Sequence, residues 1–323
     1  MDYLYMLGAF ILSIILGKPT VNYLRKLKMG QEIRQEGPKS HYVKSGTPTM
    51  GGIFIIATYV ICAIVYMILK KGDLKTALFL MVAPILYGLI GFLDDYEKIT
   101  KKTNLGLTAK QKIFLQILFA ALITIYARFV LKFDTVIELP FTKKTLDIGI
   151  FYYLVMILMI TSSTNAVNLT DGLDGLCGGV SAVVLVAVGV VSRMYDASEV
   201  QYFSHILSGA LLGFLVYNIY PAKVFMGDTG SLFIGGYLAT VFLLLKQPLH
   251  LILIGLVYVV ETLSVIIQVL HFKRTGKRFF RMAPIHHHFE MKGYQENKIV
   301  TAFVFVTFII ALVYIGLSRY GIL

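Results

Sequence analysis

Three short stretches of the chain put carboxylates and amides inside or beside strongly apolar runs. Asp94 and Asp95 stand in GFLDDYEK, and Asn165, Asn168, Asp171 and Asp174 stand in TSSTNAVNLTDGLDGL. Asn218 leads into VFMGDTGS, which holds Asp228. The four polar residues of the second stretch recur every three positions, a spacing that keeps them roughly on one face of a helical turn. Carboxylates that face one another repel and hold on to protons unless a cation neutralises them. Oxygen donors with amides nearby suit Mg²⁺, which takes one or two carboxylates and completes its shell with water and substrate phosphate. Each stretch also has a plainer reading. Asp94 and Asp95 can be helix-end charges, and DGLDG can be a turn between two spans. Asp228–Thr229–Gly230–Ser231 can be a helix N-cap whose glycines permit tight turns, although the same geometry aims free N–H groups at an anion.

Basic loops frame these acids. GPKSHYVKSGTPTMGG (residues 37–52) offers Lys39, His41, Lys44, Thr47 and Thr49 among turn residues, and a second loop runs from Lys98 through Lys101 and Lys102 to Lys110. Such loops ordinarily touch anionic headgroups, the reading preferred for Lys101 and Lys102. Beside Mg²⁺ carboxylates they would also stabilise a polyphosphate. The run APIHHHFE (283–290) contains three consecutive histidines, which point in different directions and so do not suit one zinc ion. Contacts from one or two of them to phosphate or carboxylate fit better. His205, His250 and His271 stand alone and are read as packing or interfacial residues.

The elements that must position these residues are membrane helices. The 323 residues are 57% hydrophobic and only 15% charged, with a mean hydropathy of +0.75, against about 25% charged for a soluble domain. No water-soluble core hides that excess. Spans of about 20 apolar residues are expected near 3–24, 50–69, 75–93, 110–131, 149–166, 176–193, 204–220, 230–246, 249–272 and 299–318. The fold class is therefore all-α, a polytopic membrane protein of about ten transmembrane helices in one domain, 1–323. Residues 3–16 lack a basic n-region and a cleavage site, so they are read as a retained first helix. Residues 132–148 alternate enough to form a small outer hairpin. Glu261 and Gln268 in the ninth span should face protein or a wet cavity.

The net charge of +12 comes from short loops between apolar runs, a membrane-surface pattern and not a nucleic-acid footprint. One alternate set of loops (25–48, 94–112, 165–175, 219–229, 273–298) carries roughly twice the Lys and Arg of the other, which makes it cytoplasmic and both termini external. Lys70, Lys71 and Lys75 are an exception on the outer side. With that orientation all three acidic stretches reach one cytoplasmic boundary. Cys62 and Cys177 each sit in apolar runs and are read as free, packed thiols.

GTPTMGG (46–52), FLDDYEK (92–98), NAVNLTDGLDGL (165–176), FMGDTGS (225–231) and APIHHHFE (283–290) occur in an order and spacing that resembles the phospho-N-acetylmuramoyl-pentapeptide transferases. These belong to the wider polyprenyl-phosphate N-acetylhexosamine-1-phosphate transferases. The HHH segment and GTPTMGG look like the muramoyl-pentapeptide branch. The resemblance spans essentially the whole chain. It implies transfer of phospho-MurNAc-pentapeptide from UDP-MurNAc-pentapeptide to undecaprenyl phosphate, giving lipid I and UMP with Mg²⁺, the first membrane step of peptidoglycan synthesis. It further implies ten helices, a cytoplasmic active site in the bacterial cell membrane and a homodimer. Carried onto this chain, Asp228 would bind Mg²⁺, with Asp94 and Asp95 assisting at the acceptor phosphate or shaping the metal site. Asn168, Leu169, Asp171, Asn218 and Phe225 look like a nucleoside pocket. Lys44, Thr49, Lys110, Gln268, His286, His287 and His288 look like further substrate contacts. A sister transferase using UDP-GlcNAc and, from another class, a cation-coupled transporter are the rivals. The HHH segment speaks against the first. The second should carry its carboxylates near midplane instead of at helix ends.

Overall fold

The computed structural model describes residues 2–27, 44, 46–70, 72–101, 106–142 and 144–323, so Lys39, His41, Lys71 and Lys102 lie outside the described residues. Among the described residues the chain is helical almost throughout, and ten of the helices are long and apolar enough to cross a membrane. These are α1 (Asp2–Lys26), α2 (Gly52–Lys70), α3 (Leu74–Lys101), α4 (Ala109–Phe129), α5 (Phe151–Thr170), α6 (Leu176–Met194), α7 (Ser198–Asn218), α8 (Gly227–Leu244), α10 (Leu256–Thr275) and α12 (Glu296–Arg319). Between them lie β1 (Val136–Leu139), β2 (Lys144–Asp147), the short α9 (His250–Ile254) and the short α11 (Ile285–Glu290). The expected hairpin is present as an antiparallel pair with Val136 opposite Asp147.

Of the boundaries that differ from the sequence expectation, two have a plain physical reason. α3 does not stop near residue 93 but continues to Lys101. Hydropathy ends the apolar span at Asp94, whereas the backbone ladder continues because Lys98 pairs with Asp94 one turn back. The ninth span is interrupted at Gly255, which separates α9 from α10.

α8 is the hub. Of its membrane-length window 83% is buried inside the protein, against 22% for α10 and α12, whose outward faces are Leu, Ile, Val and Phe offered to lipid. Small residues make this enclosure possible, as at other close helix crossings in membranes. A Cβ at Gly91 of α3 would collide with the Asp228 carbonyl, and one at Gly52 of α2 would collide with Gly230. These contacts bring the ends of α2 and α3 against the first turn of α8.

Candidate active site

The first turn of α8 begins where Gly227 takes a left-handed φ of 73°, which lets the chain turn sharply into the helix. No side chain of Asp228, Thr229 or Ser231 caps this helix, contrary to the N-cap reading. The cap comes instead from α3. Asp95 Oδ1 accepts the Asp228 N–H at 3.2 Å, and Asp95 Oδ2 accepts the Thr229 N–H at 2.9 Å and the Thr229 hydroxyl at 2.7 Å. Both Asp95 oxygens are thereby committed to holding α8. The same bonds occupy N–H groups that could otherwise have cradled an anion.

Asp228 is thus fixed with its carboxylate in a crowd of charge. Asn168 of α5 donates to Asp228 Oδ1 at 2.9 Å and to the Ser231 hydroxyl at 2.9 Å. Lys98 and Lys112 both donate to Asp228 Oδ2, at 3.1 and 2.6 Å. Lys98 also lies 2.5 Å from Asp94 Oδ2, while Asp94 Oδ1 accepts the Leu107 N–H at 3.1 Å. Asp94, Asp95 and Asp228 each bring an oxygen to within 4.8 Å of the others. Three carboxylates against two ammonium groups leave one negative charge uncompensated. The donor set is all oxygen with an amide beside it, so it fits a hard divalent cation such as Mg²⁺. Asp94 and Asp228 each keep an oxygen whose partners are lysine ammonium groups that can move aside, whereas both Asp95 oxygens are bonded to the first turn of α8, so Asp94 and Asp228 are better disposed to hold one.

The remaining sequence candidates do not converge on one spot. The Asn–Asp ladder fans out because α5 ends at Thr170, so Asp171 and Asp174 lie in a turn and not on the helix face. Asn165 pairs with Gln116 of α4 at 2.9 Å, tying two helices together. Asp171 lies half-buried near the carboxylates. Burial first, then the charges of Asp228, Asp95 and Asp174, push its carboxyl up to about 8. Asp174 accepts from Lys44 at 2.7 Å and from the Ala222 N–H at 2.9 Å. Lys44 also donates to Glu296 at 2.6 Å. Burial opposes its charge, but these two carboxylates more than offset the cost and raise its pKa. Asn218 is buried with both ends of its amide engaged, accepting from Gly175 N–H at 3.0 Å and donating to the Val224 carbonyl at 2.9 Å. Leu169 is half-buried on the last turn of α5.

Thr49 is buried beside Gly227. Around it the GTPTMGG loop is stitched to the loop before α8: Phe225 N–H donates to Pro48 O, and Gly51 N–H donates to Phe225 O, both at 2.8 Å. The half-buried Phe225 ring is therefore carried on a fixed backbone. Gln268 clamps the segment after α10, accepting from the Phe279 and Phe280 N–H groups at 3.0 and 2.9 Å and donating to the Phe280 carbonyl at 3.1 Å. The three histidines separate: His286 Nδ1 is 3.0 Å from Glu261, His287 Nδ1 is 2.6 Å from Glu290, and His288 Nδ1 accepts from Arg281 N–H. Burial, Lys292 and Arg281 hold His288 below the usual histidine range.

Lys110 is exposed on the first turn of α4 and makes none of these contacts. Lys112, two residues on, is the one that reaches Asp228, and it is absent from the residues that the sequence singles out. Residues two apart on a helix point to nearly opposite sides. The capping box formed by Thr108 and Gln111 sets where α4 starts and hence which lysine faces inward. That motif, T-x-x-Q, was the available signal.

Comparison with known proteins places the chain among its relatives. The glycosyl transferase family 4 profile matches residues 76–246, and signature 1 of the phospho-N-acetylmuramoyl-pentapeptide-transferases matches residues 44–56. The phospho-N-acetylmuramoyl-pentapeptide-transferase of Shouchella clausii is 48% identical over 310 residues, 95% of each chain. That of Clostridium botulinum strain Eklund 17B is 47% identical over 95% of this chain and 94% of its own. That of Bacillus subtilis is 46% identical over 92% of each. With likeness at this level along nearly its full length, the chain belongs to the phospho-N-acetylmuramoyl-pentapeptide-transferase family.

Proposed function

We propose that this protein transfers phospho-MurNAc-pentapeptide from UDP-MurNAc-pentapeptide to undecaprenyl phosphate, releasing UMP and forming lipid I. The reaction takes place at the cytoplasmic face of the bacterial cell membrane. The observation that carries the chemistry is the meeting of Lys98, Lys112 and Asn168 on the Asp228 carboxylate, with Asp94 beside it. One substrate is water-soluble and the other keeps its phosphate at headgroup level. The end of the bundle where α3, α5 and α8 put these groups is accessible to both.

In this reading Asp228, with Asp94, would hold Mg²⁺, which when bound would supply electrostatic neutralisation of substrate phosphate charge. The chain's own residues do the rest. Asp95 fixes the first turn of α8 and so fixes where Asp228 stands. Lys98 and Lys112 bring two preorganised positive charges to the place where negative charge develops during phosphoryl transfer. The acceptor phosphate has a second pKa near about 6, so it is mostly a competent nucleophile at neutral pH. Direct attack on the phosphorus that carries the sugar therefore asks little of Asp94 as a base. Asp171, Asn168, Leu169 and Phe225 line the approach for the nucleoside, with Lys44, Thr49 and the 279–288 segment around it. The Leu-rich outward faces of α5 and α10 offer a course for the polyprenyl tail. All 323 residues act as one transmembrane domain, and the protein works as a homodimer.

The test is direct. Purified protein is incubated with both substrates, with and without Mg²⁺, and UMP is followed. UMP release that requires both substrates and the metal is expected. Release with UDP-GlcNAc in place of the muramoyl donor would transfer the protein to the sister branch. Uptake by sealed proteoliposomes with no UMP would replace the enzyme by a transporter.

A further inference from the structure

A carboxylate on a membrane-spanning helix is expensive unless its partner is built in, and it marks a working position by default. Glu261 of α10 and His286 of α11 have no exposed side-chain surface, and Glu261 Oε2 lies 3.0 Å from His286 Nδ1. Each keeps one buried polar atom without a hydrogen bond: Glu261 Oε1 and His286 Nε2. Nε2 is turned onto Gly172 of the DGLDG turn, so closely that a Cβ at position 172 would collide with the ring. His287 and His288 are directed to Glu290 and Arg281 instead.

We infer that Glu261 is a positioning residue. Its carboxylate keeps the His286 proton on Nδ1 and so presents Nε2 as a hydrogen-bond acceptor at the Asp171–Gly172 turn, for an N–H or O–H of the nucleotide-sugar donor. The inference deepens the proposed function and rests on it. A neutral imidazole carries one N–H and one lone-pair nitrogen, and an ionised carboxylate only accepts. The proton between Glu261 and His286 therefore sits on Nδ1, and the lone pair falls on Nε2. A buried acceptor without a partner is a standing cost that an incoming donor group removes. Sugar hydroxyls and the amides of an acetylated sugar or a peptide are donors of that kind. Ring and turn touch directly, so the group reaches Nε2 by parting His286 from Gly172. A side chain at 172 would occupy the space the group needs.

The experiment uses full-length protein with ¹⁵N-labelled histidine in lipid nanodiscs, with the variants Glu261→Leu, Glu261→Gln, His286→Gln and the Glu261→Leu/His286→Gln pair. In the protein without substrate, one Nδ1–H histidine signal should vanish in His286→Gln and convert to the Nε2–H form in Glu261→Leu. In turnover assays Glu261→Leu should raise KM for the nucleotide donor about tenfold while KM for the lipid acceptor holds. The pair should be no worse than His286→Gln alone, because Glu261 acts through that ring. Additive losses, or an Nε2–H ring in the unmodified protein, overturn the inference. Should Glu261→Leu fail to fold, Glu261→Gln carries the test. A partial shift toward Nε2–H is then expected, and an unchanged spectrum overturns the role. An unmodified protein that releases no UMP sinks the proposed function. One that turns over normally with the wrong tautomer sinks only the role of Glu261.

Discussion

The two ends of the helix bundle treat charge in opposite ways. At one end Asp94, Asp95 and Asp228 stand together with Lys98 and Lys112, all at 24% side-chain exposure or less. At the other end Lys246, two residues past α8, and Asp134, just before the hairpin, form an ordinary surface pair, exposed by 38% and 54%. Like charges packed together out of water cost stability, and a fold gains nothing by assembling them. An exposed opposite-charge pair costs little and contributes little. The proposed function gives the first end its reason, a ligand to hold, while the second answers to solubility and a modest fastening of the hairpin.

The most severe way to break this contrast is at Asp228. Asp228→Ala should abolish UMP release while the protein still inserts in the membrane and runs as a folded species on size exclusion. Near-normal turnover would remove the carboxylate cluster from the chemistry. Next comes the choice between two neighbouring lysines. Lys112→Ala removes a cation bonded to Asp228 and should lower kcat by about 10²–10³, the usual scale for losing one preorganised electrostatic partner. Lys110→Ala, on the exposed side of α4, should leave kcat within about twofold, since surface changes of this kind are nearly neutral. Equal losses at the two positions would mean that the rotation of α4 differs from that described.

These two lysines also mark how far sequence reasoning reaches. Asp94, Asp95 and Asp228 were legible because a carboxylate at the edge of an apolar run is expensive and has to be explained. The span count was legible because hydropathy reports the solvent. The division of labour among the acids was not. Nothing in FLDDYEK says that Asp95 caps a helix that begins more than a hundred residues later, since a cap supplied across the bundle leaves no local spacing. Lys112 was hidden for a simpler reason, because helix phase decides it and two residues reverse the face. The Asn–Asp ladder misled through the opposite error, as helical spacing was extended past Thr170 into a turn. Glu261 is visibly polar and intramembrane in the sequence, but its partner lies on another element, twenty-five residues along.

A milder probe is the pH dependence of stability at Asp171. Its carboxyl is raised to about 8, by burial first and then by neighbouring carboxylates. An unfolded aspartate titrates near about 3.9. Between those values the folded chain holds a proton that the unfolded chain has released, so stability falls as pH rises. The contribution is complete below the unfolded value and gone above about 8. The melting midpoint should therefore drop more between pH 5 and 8.5 in the unmodified protein than in Asp171→Asn. Parallel declines would show that Asp171 is solvated and that the acidic end is less crowded than described.

The smallest effect is expected where the two ends differ most in exposure. Lys246 lies 2.8 Å from Asp134 and rests over the Phe133 ring, while its backbone carbonyl accepts from Glu138 N–H. The side-chain bond to Lys246 is the main reason the Asp134 carboxyl is held below the usual range. A lowered acid lends stability that is present above the unfolded pKa and lost as pH falls through the folded one. Because both groups are well exposed, water and salt screen the pair, and Lys246→Ala should cost only about 0.2–1 kcal/mol. The hairpin stays tied to the segment after α8 by the Glu138 backbone bond, which the substitution leaves in place. Thermal melting at low and high salt would measure the difference, which should shrink as salt rises. A loss of several kcal/mol that salt does not touch would mean this pair is fastened from within like the acidic cluster, and the contrast between the two ends would have to be redrawn.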